Sequence, residues 1–223
     1  NVYDQLNQMR EGADYSSVLT HDITRKYFTV TEYKAKDHFD KATIQRLAAT
    51  GTQIFVPVGL ESTLQSWGVS DNQINEVDWW QEIEFSGLTI VTTPARHYSN
   101  RGLFDFKKTL WASWSVLGSE HRIFFSGDSG YSKDFAKIGA AYGPFDTTFI
   151  KIGAFGPGDF WHDVHMTPEE AMQTHLDLRG KVMVPVHWAT FNLAYHDWRE
   201  PIQRAIVAAQ VKGIRLATPR LGQ

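Results

Sequence analysis

Apolar residues recur along this chain with two different periods, and the switches between them mark out its elements. Lys26 to Tyr33 (KYFTVTEY) is rich in β-branched and aromatic residues and predicts a strand. Lys41 to Ala49 (KATIQRLAA) carries apolar residues at helical spacing behind Asp40, a suitable N-cap, and predicts a helix. Thr52 to Val58 (TQIFVPV) predicts a short buried strand, and Glu61 to Trp67 a helix. Strands are then expected over Glu76 to Trp80, Leu88 to Thr93, Leu110 to Leu117 and Arg122 to Ser126, several of them separated by Gly or Asn turns. Two helical stretches, Ser132 to Tyr142 and Pro168 to Leu178, each precede an apolar strand, Thr147 to Ile152 and Lys181 to Val186. An amphipathic helix from Pro201 to Lys212 and a short strand from Ile214 to Ala217 follow. No repeat, low-complexity tract or linker interrupts the pattern. The expectation is a single domain over residues 1–223 of the α+β class, with mixed sheets flanked by helices.

Composition narrows the function classes. With 223 residues, 42% hydrophobic and 21% charged, the chain can bury a substantial core. A net charge of -3 gives no global electrostatic reason to bind nucleic acid or an anionic membrane. No apolar run is long enough to span a bilayer, and no signal-peptide pattern opens the sequence. Cysteine is absent, which excludes disulfides, thiolate metal sites and cysteine nucleophiles. That absence does not fix the compartment but suits a reducing cytoplasm, and a cytoplasmic protein is expected. Any bound metal must take His, Asp or Glu ligands, which suits zinc, manganese, iron or nickel.

The candidate chemistry sits in five short segments, each with a His or Asp at or just after the end of an apolar stretch. They contain Asp37-His38, His97, Asp128, His165 and His187. Strand ends along one sheet edge converge in space, and ligand sites form there. A borderline cation needs several donors aimed at one point, and neutral imidazole with carboxylate supplies them. In Ser126-Gly127-Asp128-Ser129-Gly130 the glycines allow a sharp turn that presents the carboxylate, which could bridge two metals. Taken singly, each of these residues is equally at home in ordinary turn or core chemistry. His121, His162, His175 and His196 are read as such ordinary histidines. Trp161, Phe155, Trp188 and Phe191 are candidates for an apolar wall, with core packing an equal alternative.

Seven segments together carry a resemblance: DHFDKATIQRLA, Asp78-Trp79-Trp80, TTPARHYSNRGLFD, TLWASW, FFSGDSGYS, VHMTPEEAMQTHLDL and VPVHWATFNLA. The stretch from Asp37 to Pro201 resembles the metallo-β-lactamase superfamily, in the branch of N-acylphosphatidylethanolamine-hydrolysing phospholipase D and the RomA-like bacterial proteins. The resemblance implies an αββα sandwich and a binuclear hydrolase site. By it, Asp37 and His38 match the Asp-His pair of the family's His-x-His-x-Asp-His motif. His97 matches the third histidine of the first metal site, Asp128 the bridging carboxylate and His187 the last histidine of the second site. His165 falls where relatives carry a histidine near the reaction centre.

Two departures qualify this. In an ungapped alignment the motif's leading histidines fall on Tyr33 and Ala35. Alternatively His21 is the first histidine, residues 23–36 are an insertion, and Ile23 stands where the second belongs. Either way the first metal site is depleted. The run of strands that precedes the motif in the family is also mostly missing, so the sandwich is expected to be truncated. Its exposed edge and face predict a homodimer or higher homo-oligomer, whose partner chain could supply a ligand; the alternative is that the sequence is a fragment of a larger protein.

The resemblance implies a metal-dependent hydrolase, phosphodiesterase- or phosphotriesterase-like, acting on a small-molecule ester or lipid-like substrate. One or two ions, zinc first, would activate water. Asp128 would bridge or orient, and His165 would donate a proton or hold a substrate oxygen. The metal ligands would be Asp37, His38, His97, Asp128 and His187, with His21 as the candidate for the incomplete site. Alternatives are a lactone or carboxylic-ester hydrolase on the same site, and a non-catalytic metal-binding descendant.

Overall fold

The computed structural model describes residues 28–30, 40–99, 107–157, 159–189 and 194–219, with residues 28–30 and 159–160 given by their backbone alone. The described elements are strand β1 (Phe28–Val30), helix α1 (Lys41–Ala49), β2 (Gln53–Pro57), α2 (Glu61–Ser66), β3 (Ile74–Val77), β4 (Glu82–Phe85), β5 (Leu88–Thr93), β6 (Ser113–Leu117) and β7 (Arg122–Phe125). After them come α3 (Asp134–Tyr142), β8 (Thr147–Lys151), α4 (Asp159–Val164), α5 (Pro168–Asp177), β9 (Val182–Val186) and α6 (Glu200–Lys212).

Two sheets form. A small parallel sheet has the order β1-β2-β3, and a six-stranded sheet the order β4-β5-β6-β7-β8-β9. Strands β4 to β7 run antiparallel, while β7, β8 and β9 are parallel. Parallel neighbours need a crossover, and α3 and α5 supply the two required.

Side-chain alternation sorts β2 between two layers. Phe55 faces the large sheet, packing with Val77, Ile90, Ala112 and Trp114. Ile54 and Val56 face the opposite way, into Ile44, Leu60 and Leu64 of the α1–α2 layer. Beyond the large sheet, Phe124, Ile150 and Met183 pack under Phe135 and Ile138 of α3, Met172 of α5 and Ile202 of α6. Helix, sheet, sheet, helix is therefore the layer order, the αββα arrangement that the family resemblance implied.

Local chemistry explains where these helices start. The Asp40 carboxylate accepts from the Thr43 N–H at 2.7 Å, which holds its pKa below the usual carboxylate range. Thr167 and Glu170 cap α5 reciprocally, with Pro168 in its first turn. Between β4 and β5, Ser86 and Gly87 both take positive φ (51° and 78°), the geometry of a tight two-residue hairpin.

Three sequence expectations shift. The strand expected over Glu76 to Trp80 runs instead from Ile74 to Val77, because Asp78 folds back on itself. Its side chain accepts from the Trp79 N–H, its carbonyl accepts from the Gln81 N–H, and Trp80 takes φ 67°. The strand expected from Leu110 begins at Ser113, since the Leu110 N–H is spent on the Val58 carbonyl. Ile214 to Ala217 makes only an isolated bridge, Leu216 to Met183. Strand β4 and helix α4 were not expected at all. Of the strand expected over Lys26 to Tyr33, residues 28–30 are described, and they pair in parallel with β2. No helix among the described residues is long and apolar enough to cross a membrane.

His175 is a buried core histidine, as expected, with Nδ1 2.7 Å from the Thr148 hydroxyl. Burial pushes its pKa down to about 4. The unfolded chain therefore binds a proton that the folded chain refuses, between the ordinary histidine value of 6.5 and about 4. Stability is expected to fall as pH drops through that window, by a contribution of about 3 kcal/mol from this residue. Urea midpoints at pH 7 and pH 4.5 for the native chain and for His175→Gln check this. The variant should lose less stability on acidification, and an equal loss would contradict the assignment.

Candidate metal centre

Strand direction brings the candidate residues to one edge of the large sheet. Strands β7, β8 and β9 are parallel, and β5 runs the same way as β7 because β6 is antiparallel to both. Their C-terminal ends therefore share an edge. His97 follows β5, Asp128 follows β7, Lys151 ends β8, and His187 follows β9.

Arg96 ties three of the connecting segments together. Its carbonyl accepts from the Gly130 N–H at 2.8 Å and its N–H donates to Ser129 Oγ at 2.9 Å. Its guanidinium donates to the Tyr131 carbonyl and the Asp163 carboxylate. Gly130 is required at this point, because an added Cβ would lie 2.3 Å from the His162 carbonyl oxygen.

His97 is 8% exposed and its Nδ1 lies 2.8 Å from the Tyr98 carbonyl. A carbonyl can only accept, so the neutral ring carries its proton on Nδ1 and presents the Nε2 lone pair as a ligand atom. Asp128, 4% exposed, sits after Gly127 at φ 58°. Its Oδ1 lies 3.0 Å from His187 Nε2 and 3.9 Å from His165 Nδ1. His187 adopts φ 57°, a left-handed conformation that costs a non-glycine residue on the order of 1 kcal/mol or more and gathers at functional sites. His165 follows α4, its N–H donating to the Trp161 carbonyl at 2.7 Å. Its ring centroid is 5.5 Å from that of His97 and 5.9 Å from that of His187.

Donor atoms of His97, Asp128 and His165 all lie within 4.8 Å of one another. With His187 against the same carboxylate, three imidazoles surround one buried negative charge. That donor set fits a divalent cation of the zinc, manganese, iron or nickel type. His21, Asp37 and His38 lie outside the described residues, as do Tyr33, Ala35 and Phe191.

Of the aromatic wall candidates, Trp161 reaches the site, its ring 5.7 Å from His165 and edge-on to the exposed Tyr195. Phe155 stacks on His196 at 4.2 Å beneath the Arg204 guanidinium, and Trp188 packs against the main core. His196 accepts from the Ala154 N–H, while His121 and His162 stand 3.8 Å from Asp146 and Glu170.

Sequence reasoning missed two residues here. Lys151 is fully buried beside His165, and its signal was a lysine ending an otherwise apolar strand. Arg96 left no signal beyond its place next to His97.

Comparison with known proteins settles the lineage. The model of the beta-lactamase superfamily domain matches residues 34–188. The chain belongs to the beta-lactamase superfamily.

Asp37, His38, His97, Asp128, His165 and His187 all fall inside the matched residues, and His21 precedes them. An uncharacterized Mycobacterium tuberculosis protein is 45% identical over 194 residues, covering 84% of this chain and 51% of that protein. N-acyl-phosphatidylethanolamine-hydrolyzing phospholipase D 1 of Caenorhabditis elegans is 35% identical over 187 residues, 79% of this chain and 52% of that protein. The chain thus spans about half the length of the curated relatives it matches. Among solved structures, a metallo hydrolase of the archaeon Ignicoccus hospitalis superposes with a TM-score of 0.68. The match covers 88% of this chain and 77% of that one, and its 21% identity speaks for the fold alone. The superfamily is one of metal-dependent hydrolases, and the branch expected from the sequence stands.

Proposed function

We propose that this superfamily member hydrolyses phosphoesters, a phosphodiester first, at a centre held by His97, Asp128 and His187. The convergence of three imidazoles on one buried carboxylate carries this reading. Asp37 and His38 complete the proposed ligand set, with His21 the candidate for the depleted first site. Support for the phosphodiester comes from the Caenorhabditis elegans relative, whose name specifies a phospholipase D. Zinc is the proposed ion, as one or two per chain; its Lewis acidity lowers the pKa of water and offsets charge developing on a phosphoryl oxygen.

The chain's own residues do the rest. Nε2 of His97 is oriented as a ligand atom by the Tyr98 carbonyl. Asp128 supplies the negative charge that offsets a cation in a buried setting. His165 donates to a substrate oxygen or to the leaving group. Trp161 and Tyr195 give an apolar flank suited to a lipid-like or aromatic leaving group. Association into a homodimer or higher homo-oligomer belongs to the same proposal. Exposed Val207 and Val211, one turn apart on α6, support it, and a monomeric mass in solution would contradict it.

A substrate screen tests the activity. Bis(p-nitrophenyl) phosphate should be turned over, chelation should abolish that turnover, and zinc should restore it. Turnover of lactones or carboxylic esters in place of phosphoesters would move the chain to ester hydrolysis. No turnover of any probe, with metal still bound, would make it a non-catalytic metal-binding descendant.

A further inference from the structure

The geometry points to Lys151 as a positioning residue that makes His165 a hydrogen-bond donor to substrate instead of a metal ligand, an inference that deepens the hydrolase reading above. By distance alone His165 belongs with His97 and Asp128 as a third ligand. Its hydrogen bonding says otherwise. Lys151 is fully buried, and its Nζ lies 2.5 Å from His165 Nδ1 and 2.8 Å from the Gly153 carbonyl oxygen. A lysine ammonium has three donors and no acceptor, so the Nδ1 it faces must accept. The neutral ring then carries its proton on Nε2. Neither nitrogen keeps a lone pair for a cation: Nδ1 is engaged by Lys151, and Nε2–H can only donate.

His97 is set the opposite way. Its Nδ1 faces the Tyr98 carbonyl, so its proton sits on Nδ1 and its Nε2 lone pair is available to a cation. Two buried histidines whose rings lie 5.5 Å apart are thus held in opposite tautomers by different neighbours, one as ligand and one as donor. Lysine suits the task at the end of β8, because the Gly153 carbonyl two residues on also accepts from its ammonium and helps fix it in place. An apolar residue there would leave His165 Nδ1 without its buried donor.

Histidine ¹⁵N–¹H correlation spectra of the full chain, recorded without metal and with zinc, test this directly. His165 should show a single Nε2–H tautomer that zinc leaves unchanged, while His97 shows Nδ1–H and a zinc-dependent Nε2 shift. In Lys151→Met the single His165 tautomer should be lost, and Lys151→Gln, whose amide can donate, should restore it. Zinc affinity should stay within about twofold in both variants, while kcat for the phosphodiester falls at least tenfold in Lys151→Met with little change in KM. An Nδ1–H tautomer at His165 in the native chain, or loss of its Nε2 proton on adding zinc, would overturn the inference. Both of those readings use the native chain, so they stand even if Lys151→Met does not fold. The tautomers need no turnover to be seen, so an inactive chain would defeat the hydrolase reading without touching this one.

Discussion

Asparagine at position 128 is expected to cost at least about 100-fold in zinc affinity, and hydrolysis of the phosphodiester probe should fall with it. The bound follows from partners one step removed from a metal, whose loss already costs roughly 10–100-fold, so a direct ligand should cost no less. Asparagine keeps the volume of the side chain and removes its charge, leaving His187 and His165 beside a neutral amide where a carboxylate stood 3.0 and 3.9 Å away. The fold should survive, since Asp128 lies in the turn after β7 and is absent from the three hydrophobic cores. Circular dichroism and a urea midpoint separate that outcome from unfolding. Undiminished turnover by a folded Asp128→Asn chain would remove this carboxylate from the site.

Gly153→Ala is expected to have the second largest effect, and to act at the site through the backbone. An added Cβ would lie 2.2 Å from the His187 carbonyl oxygen and 3.2 Å from both the His187 carbonyl carbon and Trp188 Cα. These are backbone atoms, so no side-chain rotation relieves the overlap. His187 already sits at φ 57°, and the conflict must be absorbed by moving it or the segment that carries Lys151. A displacement near 1 Å at a reacting centre costs about 100-fold in rate. Overpacking of this kind also costs roughly 1–3 kcal/mol of stability. Parallel measurement of kcat and of the urea midpoint checks both parts. Native turnover in the alanine variant would show that His187 has more freedom than its contacts allow.

Much of this site could be read from the residues, and what could not has physical reasons. Asp128 and His187 were legible because each follows an apolar strand, and parallel strands place such positions on one edge. His97 was legible for the same reason, β5 sharing the direction of β7 through the antiparallel β6. Helix α1 announced itself through Asp40, whose capping chemistry is local, and α5 through the helical stretch from Pro168, which the structure shows capped by Thr167 and Glu170. Strand β4 escaped because Glu82-Ile83-Glu84-Phe85 alternates over only four residues, and the Trp79-Trp80 pair before it looks more strand-like than the turn it forms. Helix α4 spans six residues, too few for a helical period to emerge. Lys151 was passed over because a lysine ending an apolar strand ordinarily reaches solvent; its role appears only once α4 has brought His165 against it. Arg96, likewise, acts through Gly130, Tyr131 and Asp163, which the chain places 34, 35 and 67 residues away.

A metal-dependent centre assembled around Asp128 must show itself in the metal content of the protein. Elemental analysis of the full chain after exposure to zinc and exhaustive dialysis should find one or two ions per chain, and fewer in Asp128→Asn treated identically. A native chain that retains no divalent metal, or an Asp128→Asn chain that retains as much as the native one, would mean that Asp128 holds no metal centre.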